Sequence, residues 1–177
     1  MYDTLMLFTL FHTALSLVAL LLGFGAIATL FNHQGARRFT KPFLITTTLS
    51  IITGFMFPFT GFTPAIGTGI AALAVLLMML AAYKFKLRGH WRTVYVGGMV
   101  ASVFFQMFVT VAQSFQKIPA LNAYAPTGAE PTFAIAESIV LLVFVAIGVA
   151  AARTFRPVTG TKTVAPKIKP KAKRSRR

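Results

Sequence analysis

Apolar residues in this chain do not alternate with polar ones; they run in long blocks separated by short polar connections. Five blocks stand out: roughly Leu5–Phe31, Phe43–Phe59, Ala65–Tyr83, Thr93–Phe115 and Thr132–Ala152. Blocks of about 20 apolar residues match the length a helix needs to cross a ~30 Å hydrocarbon core. The pattern predicts an all-α membrane protein, a bundle of about five transmembrane helices occupying residues 1–157. The second block is the weakest, being short and ending in "GFMFPFTGFTP". Either Pro58 closes a short helix there, or the second and third blocks form a re-entrant hairpin.

Composition agrees with the blocks. Hydrophobic residues make up 56% of the 177 and charged residues only 12%, against roughly 25% charged in a soluble domain. The mean hydropathy is +0.72. The net charge of +15 would suggest a nucleic-acid partner were it spread over the chain, yet ten of the 18 Lys and Arg lie in residues 153–177. The remaining basic residues are patterned. "NHQGARRFTKP" carries Arg37, Arg38 and Lys41, and "KFKLRGHWR" carries Lys84, Lys86, Arg88 and Arg92. The connections between them carry almost none. Basic connections stay in the cytoplasm, so the expected topology has the N-terminus outside and the C-terminus inside. Trp91, Tyr83 and Tyr95 then fall at the cytoplasmic boundary, where amphipathic rings collect. The first block lacks a basic leading region and exceeds the core of a secretion signal; it is expected to remain as a span.

Polar residues inside the blocks fall at helical spacing. The first block aligns His12, Ser16, Ala19, Gly23 and Ala26; the second Thr47, Ser50, Gly54 and Pro58. The third aligns Gly67, Ala71, Ala74 and Met78, and the fourth Gly98, Ser102, Gln106, Val109, Gln113 and Gln116. The fifth aligns Glu137, Leu141, Phe144 and Gly148. Small and hydroxyl residues let helices approach and bond across the seam, and packing alone accounts for most of these positions. Counted inward from the outer side, His12, Gln106, Gln113, Gln116 and Glu137 converge on the outer half of the bundle. Ionisable groups at membrane depth are candidates for function. They form the candidate ligand-binding set, with a direct His12–Glu137 pair as its sharpest form. The plainer alternative has Glu137 interfacial and His12 a hydrogen-bonded structural residue.

The segment "QSFQKIPALNAYAPTGAEPTFAIAE", residues 113–137, holds two of the three acidic residues and is placed as a lid over that set. Thr127 and Glu130 have capping-box spacing ahead of Pro131. Enzyme chemistry finds little support. No phosphate-binding glycine motif occurs, no His/Asp/Glu spacing makes a metal site, and with no Cys there is no thiol chemistry. A bis-His haem needs two histidines at depth, and His33 and His90 sit in basic connections. No cofactor and no metal are expected.

Residues 158–177 read as a disordered basic cytoplasmic tail. Lys167, Lys169, Lys171, Lys173 and Arg174 are placed against anionic lipid headgroups, each worth about 1 kcal/mol near the surface. The bilayer is the main partner, with a membrane-protein partner or a second copy of the chain as a further one; nucleic acid is not expected.

The run "FQKIPALNAYAPTGAEPTFAIAE", with "TGFMFPF" before it and "FRP" after the last span, resembles a group of small, uncharacterised bacterial multi-pass inner-membrane proteins with an "FQK-P-AL…APT…EP-F" loop. The resemblance implies a bacterial inner membrane and supplies no activity. Two function classes remain open: a non-catalytic membrane subunit or scaffold, and a small transporter or a binder of protons, lipid or quinone.

Overall fold

The structure, a computed structural model, describes residues 2–32, 36–59 and 61–155. Among these every regular element is helical: α1 (Tyr2–Phe31), α2 (Ala36–Phe55), α3 (Pro64–Lys84), α4 (Trp91–Lys117), the single turn α5 (Pro119–Asn122) and α6 (Pro131–Thr154). The five expected blocks each became a helix, and α5 is an addition. The headgroup residues Lys167, Lys169, Lys171, Lys173 and Arg174 lie outside the described residues.

Four helices, α1, α3, α4 and α6, are long and apolar enough to cross a membrane. The α2 helix is not among them. It starts a turn or more earlier than the apolar block, takes in "ARRFTKP" with Pro42 inside the helix, and ends at Phe55, three residues before Pro58. Its interior also carries Thr46, Thr47, Thr48, Ser50 and Thr53. Thr46, Thr48 and Thr53 return their hydroxyls to carbonyls of the preceding turn, which satisfies them within the helix.

Local chemistry explains the boundaries. Thr63 caps α3, its hydroxyl accepting from the Ile66 amide at 3.3 Å, with Pro64 as first residue. The far end of α3 closes as a Schellman motif: the Lys86 amide donates to the Tyr83 carbonyl and the Leu87 amide to the Ala82 carbonyl. Lys86 and Leu87 accept φ of 56° and 54° to do so, a left-handed geometry costly for side chains with a Cβ. The ring of Phe85 stacks on Trp91 at 4.5 Å across this turn. Ahead of α6 the expected capping box shifts by three residues. Glu130 is itself the cap residue, and its Oε1 accepts from the Thr127 amide and hydroxyl at 3.0 and 2.8 Å.

Helices α1 and α4 form the centre. The α2 helix packs along α1, and α3 and α6 pack along opposite sides of α4, while α2 and α3 scarcely touch each other. Gly98 is what brings α3 close: a Cβ there would meet the Met79 Cβ at 2.7 Å and its Cα at 3.3 Å. Gly23 does the same between α1 and α4, facing Val103 and Phe43. The start of α4 is tied to the end of α6 by the Arg92 guanidinium, which donates to the Phe155 carbonyl at 2.8 Å. Leu30, Phe43, Leu76, Met79, Val96, Met99 and Val103 fill the interior. Large apolar side chains such as Leu7, Leu21, Leu77 and Leu142 stand on the outside, an arrangement suited to lipid.

Candidate functional site

Because α2 and α3 diverge, a cleft opens between them, backed by α1 and α4. Its cavity is about 420 Å³, within the ~300–1,000 Å³ usual for small-ligand sites. Apolar walls come from Ile51, Phe55, Phe57, Phe59, Ile66 and Phe105. Polar groups come from His12 on α1, Thr47 and Ser50 on α2, Thr68 on α3, and Ser102, Gln106 and Gln113 on α4. Among the described residues no Asp, Glu, Lys or Arg is part of this lining.

The polar groups differ in how well they are satisfied. His12 Nδ1 lies 2.8 Å from Thr53 Oγ1, and Ser16 Oγ lies 2.7 Å from Ser50 Oγ. The Thr68 hydroxyl donates to the Pro64 carbonyl. Thr47 and Ser102 are different. They are only 2% and 3% exposed, and neither hydroxyl has a hydrogen-bond partner among the described residues. Most serines and threonines of these helices return their hydroxyl to the preceding turn; these two do not. A buried unpaired hydroxyl costs about 1–3 kcal/mol, and both oxygens are closed to solvent behind the cavity wall.

Contacts between the helices set the depth of each group. Gly23 faces both Phe43 and Val103, which puts those three at one level. Toward the bundle end that carries the start of α1, the outer end in the expected topology, Thr47 stands one turn beyond Phe43 and Gln106 nearly one turn beyond Val103. In the same direction His12 is three turns beyond Gly23, level with Gln113. The cleft thus has one group nearer the bundle middle, Thr47, Ser102 and Gln106, and a pair nearer that end, His12 and Gln113.

The sequence-derived set divides here. His12, Gln106 and Gln113 meet in the cleft; Gln116 and Glu137 do not line it. The expected His12–Glu137 pair is not formed. His12 faces α2 and bonds Thr53, whereas both Glu137 carboxyl oxygens lack a partner among the described residues. The contacts Phe115–Phe133 and Phe104–Phe144 place Glu137 opposite Val111, on the α6 side of α4. Residues 102, 106 and 113 point to the reverse side. The two groups are counted inward from the same end but lie on different faces of the bundle.

The lid is corrected as well. No residue between 114 and 137 lines the cleft. The segment instead folds back on α4, where the Asn122 side-chain Nδ2 donates to the Phe115 carbonyl at 3.2 Å. Phe57, Pro58 and Phe59, from the short α2–α3 connection, border the cleft in its place. Sequence reading placed Thr47, Ser50 and Ser102 on interior stripes but left them out of the site, since their hydroxyls were expected to be satisfied by packing.

Among the described residues no group of three or more His, Asp or Glu is placed to hold a metal ion. No family model, characterised protein or solved structure matches the chain.

Proposed function

We propose that the protein is a multi-pass integral membrane protein whose α2/α3 cleft binds a small, uncharged amphipathic molecule. The observation that carries this reading is the cavity of about 420 Å³ between α2 and α3, which joins apolar walls to the accessible polar groups of His12, Gln106 and Gln113 with no charged residue among the described ones. A scaffold, in which interior polar stripes serve only helix association, leaves that cavity without a role. In the proposed arrangement α2 is the fifth crossing helix. The basic connections and the tail lie in the cytoplasm by the charge rule, and the cleft opens toward the outer half of the membrane. The loop resemblance supports a bacterial inner membrane.

Reporter fusions after residues 38, 61, 88, 124 and 165 test the orientation, with expected readings of in, out, in, out, in. Alkaline-phosphatase activity at residue 88 would overturn it. Native mass spectrometry of protein extracted in mild detergent tests the cleft. A small-molecule adduct is expected, and Ala72→Phe, which fills the cavity from α3, abolishes it while helicity is kept. An adduct-free protein, or one whose adduct survives Ala72→Phe, refutes the reading.

A further inference from the structure

The polar groups of the cleft are unequally supplied with partners. His12 has Thr53, Ser50 has Ser16, and Thr68 has the Pro64 carbonyl. The Thr47 and Ser102 oxygens are closed off behind the wall. Gln113 is exposed near the end of the bundle, within reach of water. Gln106 differs from all of them. Its backbone carbonyl accepts from the Thr110 hydroxyl at 2.7 Å, but its carboxamide bonds nothing among the described residues. The side chain is half-buried and borders the cavity, and its polar atoms are not closed to it as those of Thr47 and Ser102 are.

Depth makes that carboxamide unusual. Gln106 lies 11 residues before Lys117, where α4 ends. That is about 16 Å along the axis, near the middle of a ~30 Å hydrocarbon core. Gly98 against Met79 sets the register of α3 on α4, which brings Ala72 to the level of Gln106, each about two turns further outward. The cavity wall there is apolar, with Ala72, Phe105 and Val109. A carboxamide cannot shed its polarity by titration, and leaving it unpaired in hydrocarbon is costly. Its oxygen accepts and its NH₂ donates, so both ends need a partner. A lone water would have this one side chain to hold it, whereas well-held buried waters make about three hydrogen bonds.

We infer that Gln106 is the residue that reads the ligand's polar head, and that the ligand is an uncharged lipid whose head both donates and accepts a hydrogen bond, a hydroxyl or a carboxamide on an apolar chain. This deepens the reading of the cleft as a ligand site and rests on it. Such a head brings a donor to the Gln106 oxygen and an acceptor to its NH₂. A ketone, ester or ether head serves the NH₂ alone and leaves the oxygen unpaired. An ionised head meets no opposite charge among the described lining residues.

The test uses the full chain in nanodiscs, with native mass spectrometry as the readout. The probes are dodecan-2-ol, dodecan-2-one and dodecanamide, each at the same mole fraction in the bilayer. The alcohol and the ketone share one carbon skeleton and differ by a donor. One hydrogen bond's difference predicts about tenfold tighter binding of the alcohol, and whichever of alcohol and amide binds tighter names the head. Gln106→Leu is expected to erase the preference for alcohol over ketone. Gln116→Leu, outside the cleft, is expected to keep it. Equal binding of alcohol and ketone by the parent, or a preference that survives Gln106→Leu, overturns the assignment. So does a loss of ligand-free thermal stability in Gln106→Leu, which would show that the carboxamide is paired within the protein. Binding of none of the three, while the parent keeps its native adduct and Ala72→Phe loses it, overturns the assignment but leaves the cleft as a ligand site. Absence of all three together with an adduct-free parent refutes the cleft itself.

Discussion

On the side of α4 that faces α2 and α3, Ser102, Gln106 and Gln113 border a cavity of about 420 Å³. On the side that faces α6, Glu137 is 8% exposed and shut between the Phe115–Phe133 and Phe104–Phe144 contacts. Both sides bury polar groups without partners among the described residues. Only the first also exposes polar groups, Gln106 and Gln113, to a cavity. Residue chemistry alone would rank the carboxyl as the stronger candidate, yet the weaker, neutral groups sit where a molecule can reach them. Access, more than polarity, separates the two sides.

This contrast can be broken or sharpened by substitution. The largest effect is expected on the closed side. Phe144 is buried and meets both Phe24 and Phe104, so Phe144→Ala should cost about 3 kcal/mol by leaving a void in that seam. Thermal denaturation in detergent measures it, and a change near zero would mean the seam is not tightly packed.

Glu137→Leu should work in the opposite direction. Replacing a buried carboxyl that has no partner with a side chain of similar volume removes a desolvation cost of about 1–3 kcal/mol, and the protein should become more stable. Clear destabilisation would show that Glu137 has a partner in the membrane and that the closed side is functional too.

Thr47→Val and Ser102→Ala belong to the open side. Each removes a buried hydroxyl that has no partner among the described residues, so each should stabilise the protein by about 1 kcal/mol. Thermal denaturation in detergent measures it, and clear destabilisation would show that these hydroxyls are paired in the membrane.

The smallest effect concerns the turn before α6. Desolvation pushes the Glu130 carboxyl up, but hydrogen bonds from the Thr127 hydroxyl and backbone amides outweigh it and hold it below its ordinary value. A depressed carboxylate stabilises above its unfolded pKa, and the contribution disappears as pH falls through the folded value. Exchange of the Thr127 amide should therefore quicken on acidification once the intrinsic rate is allowed for, and Glu130→Gln should blunt that change. The cleft has no carboxylate among the described residues and should not respond in that range.

Much of the architecture was legible in the chain. Block length identified the helices because a helix can cross hydrocarbon without leaving its own backbone groups unpaired. That reason is local, so it survives any arrangement of neighbours. The ends were legible where local chemistry decided them, as with Pro64 behind Thr63. The start of α2 was not: helical hydrogen bonding runs through the basic "ARRFTKP" stretch, where hydropathy alone set the boundary at Phe43. The site was half legible. Helical spacing identified His12, Gln106 and Gln113 as inward-facing, and they share the cleft. The same counting joined Glu137 to them, because residue depth follows from distance along one helix.

The chain by itself determined the helices, their apolar exterior and how far along its helix each of His12, Gln106, Gln113 and Glu137 stands, since each depends on one segment and its solvent. Tertiary structure alone decided which groups of equal depth meet. The rotation of each helix about its axis is set by its neighbours, through contacts such as Gly98 against Met79 and Gly23 against Val103. Those approaches turn residues 102, 106 and 113 toward α2 and α3, and leave Glu137 behind α4. They also hold α2 on α1 and α3 on α4, so that the gap between α2 and α3 becomes a cavity.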